Sequence, residues 1–317
     1  MDTVRRATDL LLQAQSAHFA GLDAMLPAAV TPPEGDVITT ALPDGERVAG
    51  VLVRTALESG SIGTLWSALE VWELHPLLGM AGGRGMDALL REWRRIMDRG
   101  TSGPDSSCTV TWPTRDATAS RALLDHGFLP LSAIAIRTTA SLTAVPRRRP
   151  ARSTLSVRRA GRGDAEVVVR LEFAELEYSA MVGGAINRPE ALDIKRASVA
   201  RHLEQGDPVW LAERDGIAIG MAQCWLTDAE PGSWTAIRLP AGRWGYVNCL
   251  SVLPDERGTG VGQELMAVAH WELNRLGAVG TFLYYHPPNP LSSVFWARQG
   301  YRPLWTTWEV RPAGALR

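Results

Sequence analysis

Three glycines at alternate positions mark the segment of the chain best suited to bind a charged ligand. An apolar run predicted as a strand ends at Val252, and Gly258, Gly260 and Gly262 follow before apolar residues at helical spacing. Glycine lets an anion approach the main chain, and the amides and dipole of a helix N-terminus favour negative charge. Arg257 adds a cation at the same place. The pattern predicts an anion site at a strand–turn–helix junction, with a merely flexible turn as the alternative.

Two common phosphate-binding motifs do not fit this segment. A P-loop needs lysine and then serine or threonine after its last glycine, whereas Gln263 and Glu264 follow Gly262. The dinucleotide pattern G-x-G-x-x-G is also unmet, because the glycines lie two residues apart throughout. The segment is therefore neither a P-loop nor a dinucleotide-binding fingerprint, and its anion must be bound by a different motif.

A second motif downstream indicates which kind. Arg257 to Gly262 resembles the R/Q-x-x-G-x-G/A signature of the GNAT N-acyltransferase family. Residues 289–301, NPLSSVFWARQGY, resemble the family's second signature, N-x-x-A-x-x-F-Y-x-x-x-G-F. The resemblance covers both signatures and their surroundings closely and extends more loosely back to residue 154. It implies an acyl-CoA-binding domain that uses acetyl-CoA as co-substrate and no metal.

The resemblance also implies a role for each matched position. The CoA pyrophosphate would rest on the amides of residues 257–262, and Asn289 would bind near the thioester or the pantetheine. The strands that carry Leu250 and Phe282 would splay apart, so that the pantetheine pairs like an added strand. The implied cofactor-binding residues are Leu250, Val252, Arg257, Gly258, Thr259, Gly260, Val261, Gly262, Asn289, Ser292 and Trp296.

Trp296 departs from the family pattern. Relatives frequently carry a tyrosine acid at this position, but an indole N–H is a hydrogen-bond donor without useful acidity. We therefore expect Trp296 to line the pantetheine tunnel. Tyr284 and Tyr285 are the nearest candidate acids for the departing thiolate, with solvent as the alternative. Each tyrosine is otherwise an ordinary strand aromatic.

A base is useful because an alkylamine is mostly protonated at neutral pH. Glu172 and Glu175 lie three residues apart on a predicted helix and share a face. Glu175 is the candidate base, and a solvated acidic helix face is the alternative. His286, beside two prolines, either borders the site or is an ordinary loop histidine.

The elements that must position these residues occur twice along the chain. SRALLDHGFLPL in the first half resembles SVFWARQGYRPL in the second, with Gly127 matching Gly300. Asp44-Gly45 and Asp215-Gly216 each separate two apolar runs, which is a hairpin signal. The order of elements predicts an α/β (α+β) fold with helices on both faces of the sheet. Together with the family resemblance, the repeat implies two tandem GNAT-like domains, each with a mixed, mostly antiparallel sheet.

The segment PRRRPARS, residues 146–153, has the composition of a linker. It predicts one domain over residues 1–145 and another over residues 154–317. In the first, Gly82, Gly83 and Gly85 resemble the anion turn, but the register and the leading arginine are lost. Asp116 replaces Asn289 and would place a carboxylate near an acyl carrier. We therefore expect a degenerate GNAT-like domain without CoA.

The composition limits the partners. The 34 acidic and 33 basic residues nearly cancel, so nothing favours a nucleic acid. No apolar run reaches the length of a membrane span, which argues against a membrane partner. Three scattered cysteines suit neither a disulfide framework nor a zinc site. A cytoplasmic location is expected.

These features favour an N-acetyltransferase that acts on a primary amine of a small molecule, as a monomer or homodimer. The architecture resembles tandem acetyltransferases of the mycothiol synthase type and related actinobacterial enzymes. The acidic helix favours a cationic acceptor. Two alternatives stay open, a protein or peptide N-acyltransferase and a non-catalytic CoA-binding pseudoenzyme, and Trp296 would suit the second.

Overall fold

The computed structural model of the protein describes residues 2–138 and 155–316, and the predicted linker at 146–153 lies outside them. The first half has three helices and five strands: α1 (Asp2–Leu22), β1 (Asp36–Ala41), β2 (Arg47–Ala56), β3 (Glu70–Leu77), α2 (Gly82–Met97), β4 (Ser106–Pro113), α3 (Ala117–Asp125) and β5 (Leu129–Thr138). The second half has five helices and six strands: β6 (Leu155–Arg159), α4 (Ala165–Met181), α5 (Ala191–Gln205), β7 (Val209–Arg214), β8 (Ile217–Ala229), α6 (Trp234–Arg238), β9 (Gly242–Val252), α7 (Val261–Arg275), β10 (Gly280–Tyr285), α8 (Pro290–Arg298) and β11 (Arg302–Val310).

All of these strands form one sheet, in the order β1-β2-β3-β4-β11-β5-β10-β9-β8-β7-β6. The neighbours β3 and β4 are parallel, as are β9 and β10, and the other neighbours are antiparallel. The two parallel pairs occupy matching places on either side of the sheet centre. The predicted mixed, mostly antiparallel architecture is therefore confirmed, and the internal repeat is visible in the strand order.

The two halves exchange their last strands. β5 ends the first half but pairs with β10, from Thr138 opposite Gly280 to Ala133 opposite Tyr285. β11 ends the second half but pairs with β4 of the first. The two exchanged strands also pair with each other. Each half therefore completes the sheet of the other.

Helices cover both faces of the sheet in the second half. Met221 on β8 lies in the same apolar cluster as Val168 and Leu171 of α4. The next residue, Ala222, lies in a different cluster, with Leu265 of α7. Successive side chains of a strand point to opposite faces, so α4 and α7 lie on opposite sides of β8. This arrangement confirms the predicted layers.

The predicted hairpin at Asp215-Gly216 joins β7 to β8. Asp215 has a φ of +52° and Gly216 a φ of +80°, and two consecutive left-handed residues are what a tight primed turn requires. Among residues 2–138 and 155–316, no helix has the length and hydropathy needed to cross a membrane. The same residues contain no group of three or more histidine, cysteine, aspartate or glutamate side chains arranged to hold a metal ion.

Candidate active site

The sheet opens between β9 and β10. The two strands pair only from Trp244 opposite Gly280 to Val247 opposite Leu283, whereas β9 continues to Val252. On its other side β9 stays paired with β8, but the register shifts at Asn248. Such a bulge increases the local twist and is common beside functional sites. The edge of β9 after Val247 is thus free to pair with an extended ligand.

A cavity of about 1010 Å³ occupies this opening. Its walls contain every cofactor-binding residue inferred from the sequence except Val261. They also contain the three candidate catalytic residues Glu175, Tyr284 and Tyr285. Val261 is 1% exposed and packs in the apolar cluster that joins α7 to the sheet. The structure therefore brings the two signatures and the candidate acids and base to one cleft.

The glycine turn forms one end of the cleft. Gly258 has a φ of +80° and Gly260 a φ of +97°, values that side-chain-bearing residues seldom adopt. α7 begins immediately afterwards, and the first amides of a helix have no acceptor within it. Gly262 lies in that first turn, and a Cβ there would lie 3.3 Å from Phe295 Cε2. The turn can therefore offer amides and a positive dipole end to an anion.

Arg257 lies at the mouth of the cleft. Its Nε donates to the Val252 carbonyl oxygen at 3.1 Å, which ties the side chain to the end of β9. Its guanidinium carbon lies 4.7 Å from the ring centroid of Tyr178, a cation–π distance. Both contacts hold the positive charge beside the glycine turn. The arrangement suits an exposed phosphate.

The second signature begins α8 on the other side of the opening. The Asn289 Oδ1 accepts hydrogen bonds from the amides of Leu291 and Ser292, at 3.0 and 3.1 Å, so it caps the helix. The Ser292 hydroxyl oxygen is buried, and no hydrogen-bond partner for it lies within the described residues. A buried polar atom without a partner is costly, so a ligand in the cleft that bonded to Ser292 would remove that cost.

Trp296 packs at the inner side of α8. It is 8% exposed and makes edge contacts with Phe295 and Tyr301, at centroid distances of 4.9 and 5.3 Å. Part of its side chain still reaches the cavity wall. These contacts describe a packing residue beside the cleft.

The two tyrosines end β10. Tyr284 is 38% exposed and lies 6.0 Å from Tyr246 and 6.1 Å from Trp234, between ring centroids. Burial raises the pKa of Tyr284, and Arg238 opposes that rise only in part. Burial also raises the pKa of Tyr285. Both phenols are therefore protonated at neutral pH and able to donate a proton.

Glu172 and Glu175 of α4 do not form a solvated acidic face. Glu172 is 1% exposed, and its carboxylate lies 3.1 Å from the Lys195 ammonium. Glu175 lies in the cavity wall and accepts a 2.5 Å hydrogen bond from the Ser179 hydroxyl. Burial raises the pKa of Glu175. The solvated alternative is therefore wrong for Glu172, and Glu175 faces the cleft as a candidate base requires.

Residues 205–303 match the family model described as an acetyltransferase (GNAT) domain. The chain therefore contains a GNAT acetyltransferase domain.

Solved structures of this fold resemble the chain at low sequence identity. A GCN5-related N-acetyltransferase from Sphaerobacter thermophilus is 15% identical and covers 96% of this chain and 93% of its own, with a TM-score of 0.57. A GCN5-related N-acetyltransferase from Ralstonia eutropha JMP134 is 23% identical and covers 47% of this chain and 93% of its own, with a TM-score of 0.39. An aminoglycoside N-acetyltransferase in complex with CoA is 19% identical and covers 49% of this chain and 93% of its own, with a TM-score of 0.39. No curated protein sequence matches the chain. The first structure spans nearly the whole chain, so the shared fold includes both halves.

Part of the cleft wall comes from outside the GNAT domain, and the sequence did not predict it. The first half and the exchanged last strands contribute a set of mostly polar side chains: Trp66, Ser67, Glu73, Thr109, Thr111, Ser132 and Thr307. Thr111 and Thr307 are hydrogen-bonded to each other at 3.0 Å across β4 and β11. No local pattern marks these residues, because only the strand exchange brings them to the opening. Tyr246 and Asn248 were also missed, since a bulge has no clear sequence signal.

His286 joins the two halves beside the cleft. Its Nδ1 contacts the Leu131 carbonyl oxygen of β5, and its Nε2 lies 3.0 Å from the Val182 carbonyl oxygen after α4. A Cβ on Gly184 would lie 2.8 Å from His286 Cγ, so glycine is needed for this packing. His286 therefore borders the site, the first of the two interpretations.

The corresponding turn of the first half is closed by the protein itself. The Gly83 amide donates to the Thr118 hydroxyl at 3.2 Å, and a Cβ on Gly83 would lie 2.5 Å from the Thr118 carbonyl oxygen. Asp116 accepts hydrogen bonds from Trp112 Nε1 at 3.0 Å and from the Thr118 hydroxyl at 2.8 Å, and its other contact is His18 Nε2 at 2.9 Å. Side chains of the first half thus fill the space beside Gly83 that corresponds to the predicted phosphate site of the second half.

Proposed function

We propose that the protein is an N-acetyltransferase that moves an acetyl group from acetyl-CoA to a primary amine of a small molecule. The observation that carries the proposal is the single cleft between β9 and β10. That cleft combines the features of an anion site with a half-buried carboxyl group and two neutral phenols. This combination suits a long anionic acyl donor and an amine that must lose a proton.

The residues present fit acetyl-CoA. Within residues 257–262, the amides of Arg257 and Thr259 already donate to the Pro254 and Glu256 carbonyl oxygens. The other amides of this turn and the Arg257 guanidinium would hold its pyrophosphate. The free edge of β9 at Leu250 and Val252 would pair with the pantetheine, which carries amide groups of its own. Ser292 and Trp296 would line the arm on the α8 side. The donor supplies a thioester carbonyl, and the protein's contribution is to hold that carbonyl where the sheet opens.

The acceptor would lie between the two halves of the chain. Glu73 on β3 and Glu175 on α4 both reach the cavity, and two carboxyl groups in one wall favour a cationic acceptor. The hydroxyls of Thr109, Thr111 and Thr307 add hydrogen-bond donors and acceptors on the same side. The first half would thereby shape the acceptor pocket without taking part in the chemistry.

Glu175 would take the proton that the acceptor must lose. An ammonium group has no lone pair, so transfer of one N–H proton to the carboxylate leaves the electron pair on nitrogen free to attack. The thiolate that leaves would be protonated by solvent, Tyr284 or Tyr285. Because a thiol of this kind has a pKa near 8.5, its thiolate is a tolerable leaving group even without a dedicated acid.

The wider assignment follows from the same proposal. We propose tandem GNAT-like domains at residues 1–145 and 154–317, an architecture of the mycothiol synthase type, and a cytoplasmic enzyme that is a monomer or homodimer. The matching places of β3–β4 and β9–β10 in the sheet support the tandem arrangement. The amine itself is to be found by experiment.

Thiol release from acetyl-CoA tests the proposal. The purified protein is assayed with a thiol reagent and each of three amines: glucosamine, spermidine and a peptide with a free α-amine. We expect amine-dependent release with at least one of the first two, and a loss of about 10²-fold or more in Glu175→Gln. Glu177→Gln is the matched control, because Glu177 lies on the same helix and is exposed. Acetyl-CoA binding without release for any amine would indicate a pseudoenzyme, and release for the peptide alone would indicate the protein-directed alternative.

A further inference from the structure

A buried ion pair lies behind the wall of the cleft. The Lys195 ammonium on α5 is 3.1 Å from a Glu172 carboxylate oxygen on α4, and the two side chains are 4% and 2% exposed. Lys195 is the only lysine in the chain, which uses arginine at its 32 other basic positions. A buried ion pair seldom stabilises a protein more than apolar packing would, because removing both charges from water is costly. Stability alone is therefore a weak reason for this pair.

Both members of the pair act on Glu175. Glu175 lies three residues after Glu172 on the same helix, so the two side chains share a face. Burial raises the pKa of Glu175 most, Lys195 lowers it, and Glu172 raises it. On β9, Tyr246 and Cys249 also face this group, and burial raises the pKa of both, so they remain neutral. The charge that Glu175 experiences from α4, α5 and β9 thus comes from the ion pair.

One carboxylate oxygen of Glu172 lacks a hydrogen-bond partner within the described residues. This oxygen, Oε1, is buried. Burial works against the charge of Lys195, but the carboxylates of Glu172 and Glu175 raise its pKa above the ordinary value. The ammonium therefore stays charged. Removing it would leave Glu172 and Glu175 as two carboxyl groups in one buried site, where like charges oppose ionisation.

The first half of the chain fixes the position of this ammonium. Lys195 Nζ lies 5.4 Å from the ring centroid of Trp66, which lines the cleft. Arg188, just before α5, donates to the carbonyl oxygens of Thr64 and Ser67 at 2.7 and 3.2 Å. These bonds attach α5 to the segment that carries Trp66. The charge beside Glu175 therefore depends on contacts between the two halves.

We propose that Lys195 and Glu172 are positioning residues that hold Glu175 in the charge state its role needs. The proposal rests on the proposed role of Glu175 as the base. Lys195 favours the carboxylate form, which accepts the acceptor's proton. Glu172 keeps that carboxylate basic enough to take the proton from an ammonium. The two effects have opposite signs, so removing each residue shifts Glu175 in opposite directions.

The experiment measures where Glu175 titrates, without relying on any acceptor. Protein labelled with ¹³C at glutamate carboxyl carbons is titrated by NMR, and the Glu175 signal is assigned by its absence in Glu175→Gln. We expect Lys195→Met to raise the Glu175 midpoint by about one pH unit or more, and Glu172→Gln to lower it by about as much. The double variant Lys195→Met/Glu172→Gln removes both charges and should return the midpoint close to that of the unmodified protein. With an active acceptor, the acidic limb of the kcat/KM profile should follow these shifts.

Arg196→Met is the matched control. Arg196 follows Lys195 in the chain, but its ion pairs with Glu166 and Asp193 are exposed, so the Glu175 midpoint should not move. A purely structural ion pair would lower the melting temperature of both single variants without opposite shifts. Shifts of equal sign, or none in folded variants, would overturn the proposal. If Lys195→Met does not fold, Glu172→Gln and the double variant still decide it. Opposite shifts in a protein that transfers no acetyl group would refute the proposed function and leave the coupling intact.

Discussion

At the scale of single residues, Trp296 raises the clearest question about chemistry. It stands where many GNAT enzymes carry a tyrosine acid, yet its ring is held by Phe295 and Tyr301 and is nearly inaccessible. An indole N–H cannot supply the proton that a thiolate needs. We therefore expect Trp296 to act by shape, and we expect the step after attack to depend on other groups or on water.

Trp296→Phe should accordingly keep most of the activity, whereas Trp296→Ala should lose it through lost packing. A phenyl ring fills most of the indole's volume, but truncation of a buried tryptophan to alanine costs roughly 3–5 kcal/mol of stability. The measurements are kcat, the KM for acetyl-CoA and the melting temperature of each variant. Equal activity of the two variants would contradict a packing role.

The companion test removes each candidate acid separately. Burial raises the pKa of Tyr284 and Tyr285, so neither phenol should lose its proton between pH 6 and 9, and no tyrosine limb should appear in that range. Because the thiolate leaves readily, Tyr284→Phe and Tyr285→Phe should each cost less than about a hundredfold. A larger loss of activity in either variant, with acetyl-CoA affinity unchanged, would show that this tyrosine acts as the general acid.

At the scale of elements, the exchanged strands decide how the halves depend on each other. β5 pairs with both β10 and β11, and it therefore covers two strand edges of the second half at once. Unpaired edges expose rows of amide and carbonyl groups and promote aggregation. The GNAT domain would lose this cover if the first half were removed.

A fragment of residues 155–317 should therefore be poorly soluble or inactive. It lacks β5 and the wall residues Trp66, Glu73, Thr109 and Thr111, so both the fold and the acceptor pocket are incomplete. Co-expression with a fragment of residues 1–150 should restore a soluble complex, because the exchanged strands can pair between two chains. Size-exclusion chromatography and thiol release measure both outcomes. A fragment 155–317 that is monodisperse and fully active on its own would contradict the account.

The sequence predicted local elements well and their partners poorly. The glycine turn and α7 follow from glycine spacing and apolar periodicity, both of which act within a few residues. The cap that Asn289 provides for α8 was found only in the structure. The exchange of β5 and β11 depends on which edges meet after collapse, and no local pattern encodes that. For the same reason Glu73 and Thr111 were missed, while Arg257 and Asn289 were found. The burial of Glu172 could not be predicted either, because the elements that pack against a helix face are determined by the tertiary structure.

At the scale of the whole molecule, the proposed donor site lies in the second half, and the first half supplies part of the cleft wall. In the second half the sheet opens beside a glycine turn whose first helical amides lack intrahelical acceptors. In the first half Thr118 and Asp116 close the corresponding turn. In the proposed tandem arrangement, the glycine turn of the second half is therefore open to an anionic acyl carrier, whereas that of the first half is closed.

The number of acetyl-CoA molecules bound per chain tests this account most directly. Isothermal titration calorimetry should give one site in the unmodified protein. Gly260→Asp should weaken binding by at least about 1–3 kcal/mol, through lost amide contacts and repulsion of the pyrophosphate. Gly216→Asp is the control, because Gly216 has a similar φ of +80° with open space around it, and it should bind as the unmodified protein does. Two equivalent sites, or unchanged affinity in Gly260→Asp, would contradict a single donor site at the glycine turn of the second half.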